Sequence, residues 1–393
     1  MKKNFLLITP FLPYENCPHA GGKFVFKILK FLSKTYSVTL VTRVEPAQIK
    51  FLNEINIYCK NIYSYDYESP TSKKLIDKLN IIYSYFMLVQ LAIKVIKENS
   101  FDFIQIEFIE TGLFYFHHSS AKLIVNAHDL ISIVSRRKLQ QANFFMRLII
   151  FPKYLIIKFV EKLVIYKTDL VWVRSNVDKT YLMKNTFYKS ISVFPIPISN
   201  NLRVSINKKK RVQKLLFVGA LNRKLNEDAS IYIINNILPD ITKDYPNIKL
   251  ILAGNAPSKN LINLAKFNDN VEITGFIDDI AHIYEENSIF VSPIFIGGGM
   301  IYKNLEAFSY GIPVITTNIG NYGIDARADI EIIIANSSDE FIDKIKILLS
   351  NKELSKKIGS NGREFLRKNF DESKIFSNVL VELNNLYNGT NES

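Results

Sequence analysis

"ISNNLRVSINKKKRVQKLLFVG", residues 198–219, decides the fold. Its first part is polar and basic, carries no apolar period and reads as a linker. At "KLLFVG" (214–219) an apolar strand run closes on a glycine, and an alternation of strands and helices begins afresh. Upstream, "NFLLIT" (4–9), "SVTLVT" (37–42), "FDFIQIEF" (101–108), "AKLIVNA" (121–127) and "TDLVWVRS" (168–175) read as buried strands separated by helical stretches such as 23–36 and 74–98. Downstream, "IKLILAG" (248–254), "VEITG" (271–275), "IFVSP" (289–293), "PVITT" (313–317) and "IEIIIA" (330–335) repeat the pattern, and three helices fill 338–388. Short, β-branched runs alternating with helices specify parallel sheets covered on both faces. The restart specifies two tandem Rossmann-like, doubly wound α/β domains. They are expected at 1–200 and 214–370, joined by a linker at 201–213. A C-terminal helix, 371–393, is expected to pack back on the first domain.

The composition is that of a globular protein, with 48% hydrophobic and 22% charged residues over 393 positions. Only Cys17 and Cys59 are present, with no partner motif nearby, which fits a reducing compartment and argues against a zinc site or a disulfide scaffold. No secretory leader is legible: the apolar stretch after Lys2 and Lys3 is short and broken by prolines. No uninterrupted apolar run approaches the roughly 18 residues that span a bilayer. The net charge of +13 is unevenly spread. Residues 1–211 hold 32 Lys and Arg against 14 Asp and Glu; residues 212–393 hold 18 against 23. A basic half fits phosphorylated substrates or an anionic membrane. No nucleic-acid recognition module accompanies it, so no nucleic-acid partner is expected.

Ligands of open parallel sheets bind beyond the carboxyl ends of the strands. Glycine or charge stands at four such ends: Gly21 and Gly22 opening a helix, His128–Asp129 after "AKLIVNA", "GALNRKLNED" (219–228) after "KLLFV", and "GGGMIYK" (297–303) after "IFVSP". Two lie in each half, so the site is expected in a cleft between the domains. Glycines let backbone N–H groups approach a ligand, and a helix N-terminus favours an anion. Lys303 adds a full charge there, and Glu306, one turn on, can accept from hydroxyls. Phosphate donors beside a hydroxyl acceptor suit a nucleotide sugar.

These residues resemble the GT-B glycosyltransferases, in the family-four, "group 1" retaining class. "LLFVGALNRKLNED", "VEITGFIDDI" and "GGGMIYKNLEAFSYGIPVITT" are similar to its donor-binding domain; "AHDLISIVSRR" and "LVWVRSNVDKTYL" are similar to its acceptor domain. The resemblance implies that Gly21 and Gly22 border the donor diphosphate and that His128 lies near the transferred sugar. It implies that Arg223 or Lys224, beside Gly219, grips the diphosphate together with Lys303, and that Glu306 takes the ribose hydroxyls. The N–H groups of Gly298, Gly299 and Met300 would face phosphate or sugar. Where many relatives carry Glu eight residues before Glu306, this chain has Gly298; Ile301 stands where a subgroup carries Arg.

The implied reaction moves a sugar from a nucleoside diphosphate to an acceptor hydroxyl, saccharide or lipid-linked, with retention. It serves surface polysaccharide or glycolipid synthesis in the cytoplasm. The alternatives are a GT-B sugar-nucleotide epimerase and a non-catalytic sugar-nucleotide binder. No cofactor and no metal is expected; Asp278–Asp279 reads as a helix cap. Residues 138–167 mix large apolar side chains with Lys138, Arg147, Lys153, Lys158, Lys162 and Lys167. They are expected to form two amphipathic pieces, with the helix broken or kinked at Pro152, which dock the basic half peripherally on the inner face of the membrane.

Overall fold

The computed structural model describes residues 2–17, 20–68, 75–113, 115, 119–186, 190–198, 213–277, 280–284, 288–297 and 299–389. Most of the expected linker, together with Gly298 and Asp278–Asp279, lies outside the described residues. The chain divides into two compact units, Met1–Pro197 with Ser373–Ser393, and Ile198–Glu372.

The first unit is built on β1 (Asn4–Thr9), β2 (Ser37–Val44), β3 (Asn61–Asp66), β4 (Phe103–Glu107), β5 (Lys122–Asn126), β6 (Leu170–Val173) and β7 (Ile191–Val193). All pair in parallel, in the order β3-β2-β1-β4-β5-β6-β7. The strands are apolar throughout because both faces are covered. Phe5, Leu7, Phe103, Ile124 and Trp172 face a core completed by the helices Ala20–Thr35 and Glu372–Asn388. The opposite face receives the helices Ile109–Gly112 and Phe144–Tyr166, where a Cβ on Gly112 would meet Val164 at 2.7 Å and Val125 at 3.9 Å.

The second unit carries β8 (Lys214–Val218), β9 (Lys249–Ala253), β10 (Val271–Gly275), β11 (Ser288–Ser292), β12 (Val314–Thr316) and β13 (Ile333–Ile334), all parallel in the order β10-β9-β8-β11-β12-β13. In both units the order turns back beside the first strand, which places a ligand crevice at the carboxyl ends there.

Four local expectations differ from the structure. β3 and β7 are additional strands: β3 is a half-exposed edge, and β7 has three residues, too few to show a period. The run 330–335 forms a strand only at Ile333–Ile334, because a turn precedes it. There Asp329 has φ 57, and Glu331 accepts from the backbone and guanidinium of Arg327. Pro152 does not divide its helix, which runs unbroken over Phe144–Tyr166. Proline removes one hydrogen bond, to the carbonyl four residues back. Leu148 and Pro152 are both exposed, so water can satisfy that carbonyl. The break falls instead at Ala142–Asn143, where Asn143 caps the new helix by accepting from the Met146 N–H at 3.0 Å. Finally, Leu79–Glu98 is long and apolar enough to cross a membrane. It lies within the helix Leu75–Glu98 that links β3 to β4, with Leu88, Val89, Ala92 and Val95 in the core.

Candidate functional site

In the second unit, functional side chains gather where β8 and β11 end. β8 delivers Gly219, and the helix Lys224–Tyr232 follows with Arg223 at its N-cap. After β11, the helix Tyr302–Ser309 places Lys303 in its first turn and Glu306 one turn later. Lys303 Nζ donates to Asn226 Oδ1 and lies 4.2 Å from the centroid of Phe217. Asn226 is buried, and its amide donates to Ala220 O at 2.8 Å. Gly219 is required by this packing: a Cβ there would come within 2.7 Å of Asn226 Nδ2 and 3.0 Å of Lys303 Nζ. Burial pulls the Lys303 ammonium down to about 7. Arg223 pulls the same way and Glu306 opposes. A cationic centre held this close to neutrality is short of negative charge, which an incoming anion supplies.

Glu306 has its own support. Tyr284 donates to Glu306 Oε2 at 3.4 Å and stacks on Tyr310 with ring centroids 4.2 Å apart. Burial, and then Glu306 itself, raise the Tyr284 hydroxyl well above its ordinary value, so it remains a neutral donor. Gly299 and Met300 are half-buried directly before the helix. A Cβ on Gly297 would make only ordinary contacts, at 3.8 Å from Ile319, so internal packing does not demand glycine at that position. Lys224 behaves differently from Arg223. It is 80% exposed and paired with Asp228 at 2.7 Å, on the outer face of its helix.

In the first unit, His128 follows β5 and is held by a buried polar network. Its Nε2 lies 2.6 Å from Glu107 Oε2. The Glu107 carboxylate also accepts from Asn126 Nδ2 at 3.0 and 3.1 Å and from Gln105 Nε2. Asn126 Oδ1 in turn accepts from Arg174 Nη2 at 2.5 Å, and Arg174 donates to Phe194 O at 2.6 Å. Burial lowers the Arg174 guanidinium to about 10, against the pull of Glu107, Asp129 and Asp178. Gln105, Glu107, Asn126 and Arg174 are all buried, so each must find partners within the network.

The imidazole stacks on Phe108 at 3.8 Å and 12°. Phe108 adopts φ 68, ψ 137, a conformation costing roughly 1–3 kcal/mol outside glycine. Such strain concentrates where a side chain must be held in one place. Gly21 and Gly22 lie in the first turn of the helix Ala20–Thr35, whose Phe24 packs edge-on against His128 at 5.4 Å and lies 4.2 Å from the Arg174 guanidinium. The helix opened by the two glycines and the histidine therefore meet at one point. Before Leu130, the N-cap of the following helix, stands Asp129. Burial raises its carboxyl, and Arg174 pulls it back down.

The structure thus assembles Gly21, Gly22 and His128 in one unit, and Gly219, Arg223, Lys303, Glu306, Gly299 and Met300 in the other. Lys224 points away, and Gly298 lies outside the described residues. Glu107, Arg174, Asn226 and Tyr284 complete the two clusters without having been singled out from the sequence.

Residues 212–351 match the family described as Glycosyl transferases group 1. The matched segment lies within the second unit. Every second-unit residue just named falls within the matched segment. The chain is 33% identical over 177 residues to an uncharacterized 44.6 kDa protein in the cps region of Klebsiella pneumoniae, covering 43% of this chain and 45% of that one. It is 25% identical over 255 residues to the capsular polysaccharide biosynthesis glycosyltransferase CapM of Staphylococcus aureus, covering 60% and 66%. The matches therefore span less than two thirds of these relatives. Among solved structures, sucrose-phosphate synthase from Thermosynechococcus elongatus superposes with a TM-score of 0.75 at 16% identity, covering 99% of this chain and 100% of that one. HepE of Anabaena, solved with UDP and glucose, superposes with 0.68 at 15% identity, covering 98% and 100%. At such identities the likeness concerns the fold, which is GT-B. The Gly219–Asn226–Lys303 cluster thus lies inside the matched segment and within a single unit.

Proposed function

We propose that the protein is a retaining glycosyltransferase that moves a hexose from a nucleoside diphosphate to an acceptor hydroxyl. The observation that carries this reading is Lys303. It is pinned between Asn226 and Phe217 beside Gly219, with its ammonium lowered to about 7, at the start of a helix that presents Glu306 one turn on. A diphosphate meets a cation and helix N–H groups there, and a ribose diol meets a carboxylate.

Cleavage of the anomeric C–O bond moves an electron pair onto the leaving diphosphate. Lys303, Arg223 and the helix N-terminus stabilise the charge as it grows. The anomeric carbon becomes oxocarbenium-like. The acceptor oxygen attacks from the face the diphosphate leaves, and a departing phosphate oxygen takes its proton, so configuration is kept. His128, fixed by Glu107 and Phe108, offers a rigid polar contact to the transferred sugar. No metal is assigned a role. The capsule-synthesis relative supports a surface polysaccharide as the product; we extend the proposal to a glycolipid and place the synthesis in the cytoplasm.

The test is direct. Nucleoside diphosphate sugars, beginning with UDP-glucose and GDP-mannose, are screened for thermal stabilisation of the full chain. The stabilising donor, radiolabelled, is then incubated with saccharide and lipid-linked acceptors. Transfer of label with retained anomeric configuration is expected. An epimerised free sugar nucleotide, or binding with no turnover on any acceptor, would replace this reading.

A further inference from the structure

We infer that the helix Phe144–Tyr166 is an interfacial helix that docks the first unit on an anionic lipid bilayer. This inference stands apart from the donor chemistry.

The helix packs on its unit through Glu161, Val164 and Ile165 and exposes most of what remains. Phe145 is 77% exposed, Phe159 61% and Tyr166 82%, and Leu148, Ile149 and Ile156 are each more than half exposed. At 3.6 residues per turn, these side chains fall on a single arc of about 100°. It lies opposite the packed side. A helix that turns its apolar arc outward leaves that surface to be covered by something else.

The charges name the occupant. Arg147, Lys158 and Lys162 follow one margin of the arc and Lys153 the other. Arg136, Arg137 and Lys138 stand on the preceding helix, Ile131–Gln141. The one acidic residue in 131–167 is Glu161, and it faces inward, accepting from the Ser132 N–H at 2.9 Å. Cations bordering an apolar face, with no exposed acid, match a lipid surface with negative headgroups. Long basic side chains there reach the headgroups while the apolar arc enters the acyl boundary. The core of a protein–protein interface is instead depleted of lysine.

Two further apolar features belong to the same unit. A groove of about 600 Å³ opens between the two helices, lined by Leu139, Leu148, Phe151 and Pro152 with Arg147 at its side. It offers an apolar slot beside a cation. The helix Leu75–Glu98, which contacts the helix Ile109–Gly112 as Phe144–Tyr166 does, exposes Ile76, Leu79, Ile82 and Tyr83 by more than half in its first turns.

The experiment co-sediments the full chain with vesicles of mixed phosphatidylglycerol and phosphatidylcholine, and with phosphatidylcholine alone, at low and high salt. Two double variants are compared, Lys153→Glu/Lys158→Glu and Phe145→Ser/Phe159→Ser, each checked for an unchanged circular dichroism spectrum and melting temperature. Binding is expected only with the anionic vesicles. It should weaken with salt and fall by about tenfold or more in each variant. A Phe145→Trp variant should be quenched by brominated lipid. Absence of sedimentation with anionic vesicles at low salt overturns the inference. So does binding indifferent to headgroup charge, or a solution dimer that the Phe145→Ser/Phe159→Ser variant dissociates. Each of these results leaves the donor screen and transfer assay untouched.

Discussion

Lys303 and His128 illustrate two ways in which a fold prepares a single side chain. Lys303 is held short of full protonation at neutral pH, with burial as the main cause and Arg223 next. A bound diphosphate restores the charged form, so above pH 7 donor binding must take up a proton. Affinity for the donor identified by thermal shift should therefore be level below about pH 7 and fall by up to tenfold per unit above it. Calorimetric titration in two buffers of different ionisation enthalpy reads the proton directly, and Lys303→Gln should abolish both the uptake and the slope. The same displacement bears on folding. The folded pKa lies below that of the unfolded chain, so the unfolded state holds more protons between about 7 and 10.5. This group's contribution to stability therefore rises with pH across that window and is least favourable below it. His128 is prepared by contact: Glu107 fixes the nitrogen that faces the sheet, and Phe108 fixes the ring plane. Glu107→Gln, of equal size, should lower turnover by on the order of tenfold or more while leaving donor affinity unchanged. A loss confined to donor affinity would instead assign the dyad to the nucleotide.

At the scale of elements, the eight-residue helix Tyr302–Ser309 is too short to persist alone. It ends at Gly311, which takes φ 71 after the C-cap, and is clamped by the helix Lys352–Asn369 through two glycines. A Cβ on Gly359 would lie 2.1 Å from Gly311 O; one on Gly362 would lie 2.7 Å from Phe308 and 2.9 Å from Glu331 O. Helix propensity alone would reward alanine at either position by about 1 kcal/mol. Backbone oxygens cannot yield as a side chain can, so the opposite is expected. Gly359→Ala and Gly362→Ala should each destabilise by about 1–3 kcal/mol in denaturant melts, and donor affinity should drop with them. This is also where reading the sequence reached its limit. Buried runs such as "KLLFV" and "IFVSP" announce their strands, because apolar β-branched residues in parallel sheets have one role. Lys303 and Glu306 were legible because three glycines and a charge mark a helix entrance. Glu107 carried a fainter mark, a carboxylate two residues after Gln105 inside an otherwise apolar strand. Asn226 and Tyr284 carried none, since an asparagine in a polar turn and a tyrosine before a strand are ordinary until tertiary contacts put them under Lys303 and Glu306. Pro152 misled because its cost depends on whether water reaches the orphaned carbonyl, which only exposure decides.

At the scale of the whole molecule, the chain leaves the first unit at Pro197, builds the second, and returns at Ser373. The returning helix, Glu372–Asn388, is part of the first unit's core and not a tail. Ile375, Phe376, Val379, Leu383 and Leu386 are buried there, with Phe376 stacked on Phe31 at 4.2 Å. Trp172, the one tryptophan of the chain, is fully buried in β6 and donates its indole N–H to Glu382 Oε2 at 2.7 Å. Burying five such side chains contributes on the order of 10 kcal/mol, at about 1.5–3 each. A whole domain is stable by only about 5–15 kcal/mol, so the first unit cannot spare this helix. A chain ending at Glu372 should therefore fail to fold its first unit, while the second unit, which lacks no internal element, should retain its melting transition. Trp172 reports the difference without any label. Its emission should move to the red in the truncated chain, as for an indole in water, and return toward the native position when a peptide of residues 373–393 is added. A truncated chain with native Trp172 emission would show that the first unit closes its core without the returning helix.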